Sequence, residues 1–140
     1  MFRMAAIQAA VLNVKLNYLD QWHQARRRNA ALYDRLLQGS GVATPKIDDG
    51  NFSIYNQYCV RVADRDRVRQ HLASKGIGSE VYYPMALHQQ ECFAHLGYKG
   101  DAFPHSQRAC AEVLALPVYP ELPDDQLRYV CSELTAATAK

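Results

Sequence analysis

The apolar spacing at the start of the chain constrains the fold more than any other feature. Within MFRMAAIQAAVLNV, Ile7, Val11 and Val14 recur at i, i+4 and i+7, with Ala6, Ala9 and Ala10 between them, which is the period of an α-helix. No Ser, Thr, Asp or Asn precedes the run to cap it, so the pattern reads as a helix entered part-way along its length. The stripe continues through Leu12, Leu16, Leu19, Trp22, Leu32, Tyr33, Leu36 and Leu37, and Gly39 and Gly41 stop it. This predicts one long helix, or two end to end, over about residues 3–38. Arg26, Arg27 and Arg28 sit in its middle. Consecutive helical positions point about 100° apart, so the three read as a solvated face, with an anion site as the lesser alternative.

Past this helix the pattern changes. Residues 44–51, TPKIDDGN, are a loop by composition, and IYNQYCVRV (54–62) alternates like a strand. DRDRVRQHLASKG (64–76) reads as a short helix closed by Gly76, and IGSEVYY (77–83) as a second strand ended by Pro84. Residues 88–98 and 104–113 read as short helices, the latter with Pro104 in its first turn. Pro117 cannot donate a ladder hydrogen bond, which puts LALPVYP (114–120) at an edge or a bend. The last helix runs over 123–139, with Asp124 and Asp125 favourably placed at its positive end. The layout is α+β: residues 1–39 are a long leading helix and 40–140 a small sheet covered by helices, together one compact unit.

Composition narrows the function classes. The 140 residues carry a net charge of +2, too weak to imply nucleic acid or an anionic membrane as partner. No apolar run reaches transmembrane length, and Arg3 alone ahead of the first helix makes no signal peptide. Cys59, Cys92, Cys110 and Cys131 form no C-x-x-C pair and read as reduced thiols of a cytoplasmic protein.

Two stretches could carry chemistry. YYPMALHQQ (82–90) places two tyrosines, a proline turn and His88 just past a strand, where sheets present ligand contacts. The alternative is that one tyrosine is core and His88 merely begins a helix. His88, Cys92 and His95 have the H-x3-C-x2-H spacing that would gather three metal ligands on one helical face, though no fourth ligand is evident. No phosphate loop, nucleophile elbow or oriented Cys–His pair is present, so no catalytic residue is assigned from the pattern.

Several blocks, in order, resemble one family. RMAAIQAAVLNVKLNYLDQWHQARRRNAALYDRLL, IYNQYCVRV, RDRVRQHLASKGIGSEVYYPMALHQQ and GYKGDAFPHSQRACAEVLALPVYPEL are similar to the last third of the DegT/DnrJ/StrS-type sugar aminotransferases. The match runs from residue 3 to about 135. Those enzymes are fold type I pyridoxal phosphate proteins that pass an amino group, usually from glutamate, to a keto sugar on a nucleotide. The part resembled is the linking helix and the small C-terminal domain, whose sheet is mostly antiparallel. The large domain, which supplies the aldimine lysine and most cofactor contacts, lies upstream of the match.

The resemblance implies the following for this chain. Arg3 falls at an arginine near the cofactor end of the helix. Tyr83 and His88 match a Tyr and a His in the loop that approaches the sugar. Tyr82 stands where many members have His, and Ala86 where many have Pro. Lys15, Lys46, Lys75, Lys99 and Lys140 do not align with the aldimine lysine, so the chain alone is expected to bind no cofactor and to be inactive. Its partners are expected to be a large domain or a second copy. The alternatives are a non-catalytic self-association or partner-binding module and, more weakly, a small metal-binding protein.

Overall fold

A computed structural model describes residues 4–139. The leading segment is two helices end to end, α1 (Ala6–Leu16) and α2 (Leu19–Leu36), separated by a turn at Asn17 and Tyr18. The uncapped start is half-repaired from inside the helix: Gln8 Oε1 accepts the Ala5 N–H at 2.9 Å, the glutamine arm of a capping box. The two helices have opposite fates. α1 buries no residue, whereas α2 buries Asn29, Ala30, Leu32 and Tyr33.

Strand β1 (Tyr58–Arg61) leads to α3 (Arg65–Ser74), two 3₁₀ turns (Leu87–Gln89 and Glu91–Leu96), α4 (Pro104–Glu112), β2 (Val113–Leu116) and α5 (Asp124–Thr138). The expected α+β layout is therefore present. The strands pair antiparallel, with Tyr58 opposite Leu116 and Val60 opposite Leu114, and these four side chains are buried. They share one core with Leu32, Tyr33 and Leu37, with Val68 and Leu72 of α3, and with Leu127, Val130 and Leu134 of α5. α3 ends as its sequence dictates: Gly76 takes φ +73, and Ile77 N–H reaches back to the Leu72 carbonyl at 2.9 Å. That is a Schellman close with its apolar contact, Ile77 being buried.

Three expected elements are shorter than their composition suggests. The strand over 54–62 is confined to 58–61, because Tyr55 turns the chain with φ +47. The segment 77–83 contributes a single bridge, Glu80 to Ala115, where a second strand was expected. The outer edge of β2 leaves room for no more. The Val113 carbonyl accepts Arg65 Nη1 at 3.1 Å, Pro117 has no N–H, and the Pro117 carbonyl accepts Tyr33 Oη–H at 2.9 Å. Only Ala115 remains free to pair. The helix expected over 88–98 is two 3₁₀ turns broken at Gln90, whose backbone is extended.

Beyond β2 the extended chain has no sheet partner, and α2 supplies one. Arg26 Nη1 donates to the Val118 carbonyl at 2.8 Å, Asn29 Nδ2 to the Tyr119 carbonyl at 2.8 Å, and Tyr33 Oη to the Pro117 carbonyl. Residues 26, 29 and 33 share one face of the helix. Of the arginine triplet, Arg27 and Arg28 are exposed, as a solvated face requires, with Arg27 over the exposed Phe52 ring at 4.1 Å, whereas Arg26 holds this segment. Asn29 is fully buried, so Asn29→Ala should cost about 1–3 kcal/mol by stranding the Tyr119 carbonyl. Urea denaturation measures this, and unchanged stability would mean that the carbonyl finds water instead.

Candidate functional site

The loop that follows the Glu80 bridge folds over α4 and lines an open cavity of about 620 Å³. Tyr83, Met85, Leu87 and His88 come from the loop's first half, Phe93, Leu96, Tyr98 and Phe103 from its second, and Ala109, Cys110 and Val113 from α4 and β2. The volume is in the range of small-molecule sites. The His88 ring lies 4.8 Å from Phe103 and 6.4 Å from Tyr98, and Tyr98 meets Phe103 edge to face at 5.2 Å. His88 Nε2 stands 3.3 Å from Gln107 Nε2. The Gln107 amide is thus within hydrogen-bond reach of the imidazole edge.

The three residues singled out as sugar contacts do not converge. Tyr83 and His88 line this cavity. Tyr82 opens instead onto a second hollow of about 320 Å³, beside Asn56, Gln57, Glu80 and Pro117. Neighbours on extended backbone point to opposite sides, which separates the two tyrosines. Arg3 lies outside the described residues. Phe93, Leu96, Tyr98, Phe103 and Cys110 were missed by sequence reasoning; the only signal was the density of aromatic residues between 82 and 103, which has no period.

The metal spacing does not assemble. Gln90 breaks the helix that was to align the ligands. His95 Nδ1 lies against the Cys92 carbonyl at 3.1 Å, and Cys92 Sγ faces Gln90 Oε1 at 3.8 Å. Among the described residues no group of three or more His, Cys, Asp or Glu is placed to hold a metal ion.

Nor does the donor set fit pyridoxal phosphate. That cofactor needs a lysine amine, an acid opposite the pyridine nitrogen and donors for its phosphate. No Lys, Arg, Asp or Glu lines the large cavity. Lys15, Lys46, Lys75 and Lys99 are all exposed, with Lys15 over the Trp22 ring at 5.7 Å and Lys75 3.7 Å from Glu133.

Comparison with known proteins places this architecture. The sequence profile of the DegT/DnrJ/EryC1/StrS aminotransferase family matches residues 1–135. A pleiotropic regulatory protein of Geobacillus stearothermophilus is 43% identical over 135 residues, which cover 94% of this chain and 36% of that protein. The UDP-2-acetamido-2-deoxy-3-oxo-D-glucuronate aminotransferase of Pseudomonas aeruginosa is 34% identical over 133 residues, covering 95% of this chain and 36% of the enzyme. The crystal structure of S. venezuelae DesV in complex with a ketimine intermediate superposes with a TM-score of 0.93 at 29% identity, over 99% of this chain and 38% of that one. The chain therefore spans a little over a third of the length of the relatives it matches.

Proposed function

The chain belongs to the DegT/DnrJ/EryC1/StrS aminotransferase family, and from that premise we propose that these 140 residues are the C-terminal domain of a nucleotide-sugar aminotransferase. The domain forms the sugar-facing wall of the active site and contributes no cofactor chemistry of its own. One observation supports the reading: the large cavity presents Tyr83 and His88 on a mostly aromatic wall, with no Lys, Arg, Asp or Glu among the residues that line it. Such a surface can exclude water and orient a bound group through ring stacking and the His88 edge. It offers no lysine for an aldimine and no acid for the pyridine nitrogen. Those tasks fall to a large domain that packs against the Leu12, Leu16 and alanine faces of α1. Among the described residues no helix is long and apolar enough to cross a membrane.

The test is cofactor binding. The purified chain is mixed with pyridoxal phosphate, reduced with borohydride and mapped by mass spectrometry. The expected result is weak labelling spread over the exposed lysines, with no turnover of glutamate and a keto sugar nucleotide. A single lysine labelled stoichiometrically, or turnover by this chain alone, would overturn the reading.

A further inference from the structure

α3 and α5 set Val68, Leu72, Leu127, Val130 and Leu134 into the core, whereas α4 buries no residue. α4 has no side-chain cap, no acid in its first turn and no base in its last, and at nine residues such a helix is marginal on its own. Its inward side chains Ala109 and Cys110 are small and only half-buried. Yet α4 forms one wall of the large cavity, through Ser106, Ala109 and Cys110, and its Gln107 meets His88 there. What fastens it is polar and lies at its C-terminal end. Arg61 donates from Nε and Nη2 to Glu112 Oε2 at 3.0 and 2.8 Å, and Arg108 Nε donates to Glu112 Oε1 at 2.7 Å. The Glu112 carbonyl accepts the Val62 N–H at 3.0 Å. The Arg108 and Arg61 guanidiniums hold the Glu112 carboxyl below its ordinary 4.5, so the cluster is ionised at neutral pH. Arg61 is itself fixed, its N–H and its carbonyl both paired with Ala43.

We propose that α4 is a releasable wall of the cavity, latched to the sheet by the Arg61–Glu112–Arg108 cluster and opening without the rest of the core. The chain on either side permits it. α4 runs straight into β2, its backbone switching from helical to extended at Val113 with φ −74 and ψ 133. Ahead of α4, residues 97–103 are exposed and contain Gly97 and Gly100. A hinge needs only a few such positions to absorb a change of φ and ψ. Opening carries Ala109 and Cys110 away from the aromatic loop and parts Gln107 from His88, which widens the cavity and frees the imidazole edge. The core keeps every buried side chain, because α4 supplies none. Segments with little buried apolar contact open at free energies below that of global unfolding. The latch is an ion cluster at the surface, with Arg61 47% and Arg108 68% exposed, so salt loosens it. The opening follows from how α4 is held and not from what the cavity receives, so it stands apart from the cofactor result.

The experiment is native-state hydrogen exchange on the 140-residue chain, read amide by amide by NMR. Corrected for intrinsic rates, the amides of 108–112 are expected to exchange at least about a hundredfold faster than those of 127–134 in α5. Glu112→Gln should speed α4 about fivefold more and leave α5 unchanged. Raising sodium chloride from about 0.05 M to about 0.5 M should speed α4 in the native chain but not in Glu112→Gln, a coupling that a merely structural residue would not show. Cys110 gives the view from the cavity. Its alkylation by iodoacetamide, mapped by mass spectrometry, should accelerate in Glu112→Gln, while buried Cys131 follows global unfolding and keeps its rate. The proposal is overturned by α4 amides that exchange no faster than α5, or by a Glu112→Gln variant that leaves α4 exchange unchanged. It is overturned equally if α4, α5 and Cys131 all speed up together, because the cluster would then support the whole fold.

Discussion

Leu134→Ala is expected to lower stability by about 3–5 kcal/mol, while Leu16→Ala shifts it by less than about 0.5 kcal/mol. In the sequence both are leucines on the apolar stripe of a helix. In the structure Leu134 is fully buried on α5, in the cluster that holds Leu72 and Val68 of α3, whereas Leu16 is 64% exposed at the end of α1. Truncating Leu134 removes its transfer energy and leaves a cavity between α5 and α3 that their backbones cannot close. Truncating Leu16 removes methyl groups that already face water, and alanine is the better helix former. Against a total of about 5–15 kcal/mol for a domain of this size, the first change brings the fold near its limit. Urea midpoints decide the matter. Comparable losses at the two positions would mean that α1 belongs to the core after all.

That contrast marks how far the sequence could be read. Periodicity reports that a face is apolar, but not what covers it, so α1 and α2 formed one stripe until the structure separated them. Elements whose signals are local and redundant were legible. α3 has Val68 and Leu72 one turn apart and a glycine close, and α5 has Pro123 with two aspartates at its start. The segment 77–83 was not, because its fate depends on the neighbouring edge. That edge was already engaged by Arg65 and Tyr33 and carries the N–H-less Pro117. The large cavity was legible only through two of its lining residues. Tyr83 and His88 meet in one cavity, yet the period of two that sends Tyr82 to the other side was available in the sequence and outweighed by the density of polar aromatics. The metal spacing assumed α-helical geometry, which the break at Gln90 removes.

The largest effect of solution conditions should come at high pH. Burial pushes the Cys131 thiol from 9.0 up to about 11. Tyr33 lies well above its ordinary 10.0 through burial and the nearby Cys131 and Tyr119. Tyr58 lies higher still, because it is buried and donates a 2.5 Å hydrogen bond to Asp34 Oδ1. The two phenol rings stack at 4.8 Å in the same core as Cys131, so ionising any one opposes ionising the others. All three folded values exceed the unfolded ones. The stability these groups provide is therefore complete below about pH 9 and declines as pH rises toward the folded values, because the unfolded chain gives up protons that the folded chain retains. With three such groups the slope approaches about 4 kcal/mol per pH unit once the unfolded phenols also ionise. Urea unfolding from pH 8 to 11 should therefore show a plateau followed by a steep fall. In a spectrophotometric titration, Tyr33 and Tyr58, two of the nine tyrosines, should stay protonated until the chain unfolds cooperatively. Smooth ionisation of all nine in a chain that remains folded would show that the Tyr33–Tyr58 stack admits water, and would refute a closed core at the α2–β1 junction.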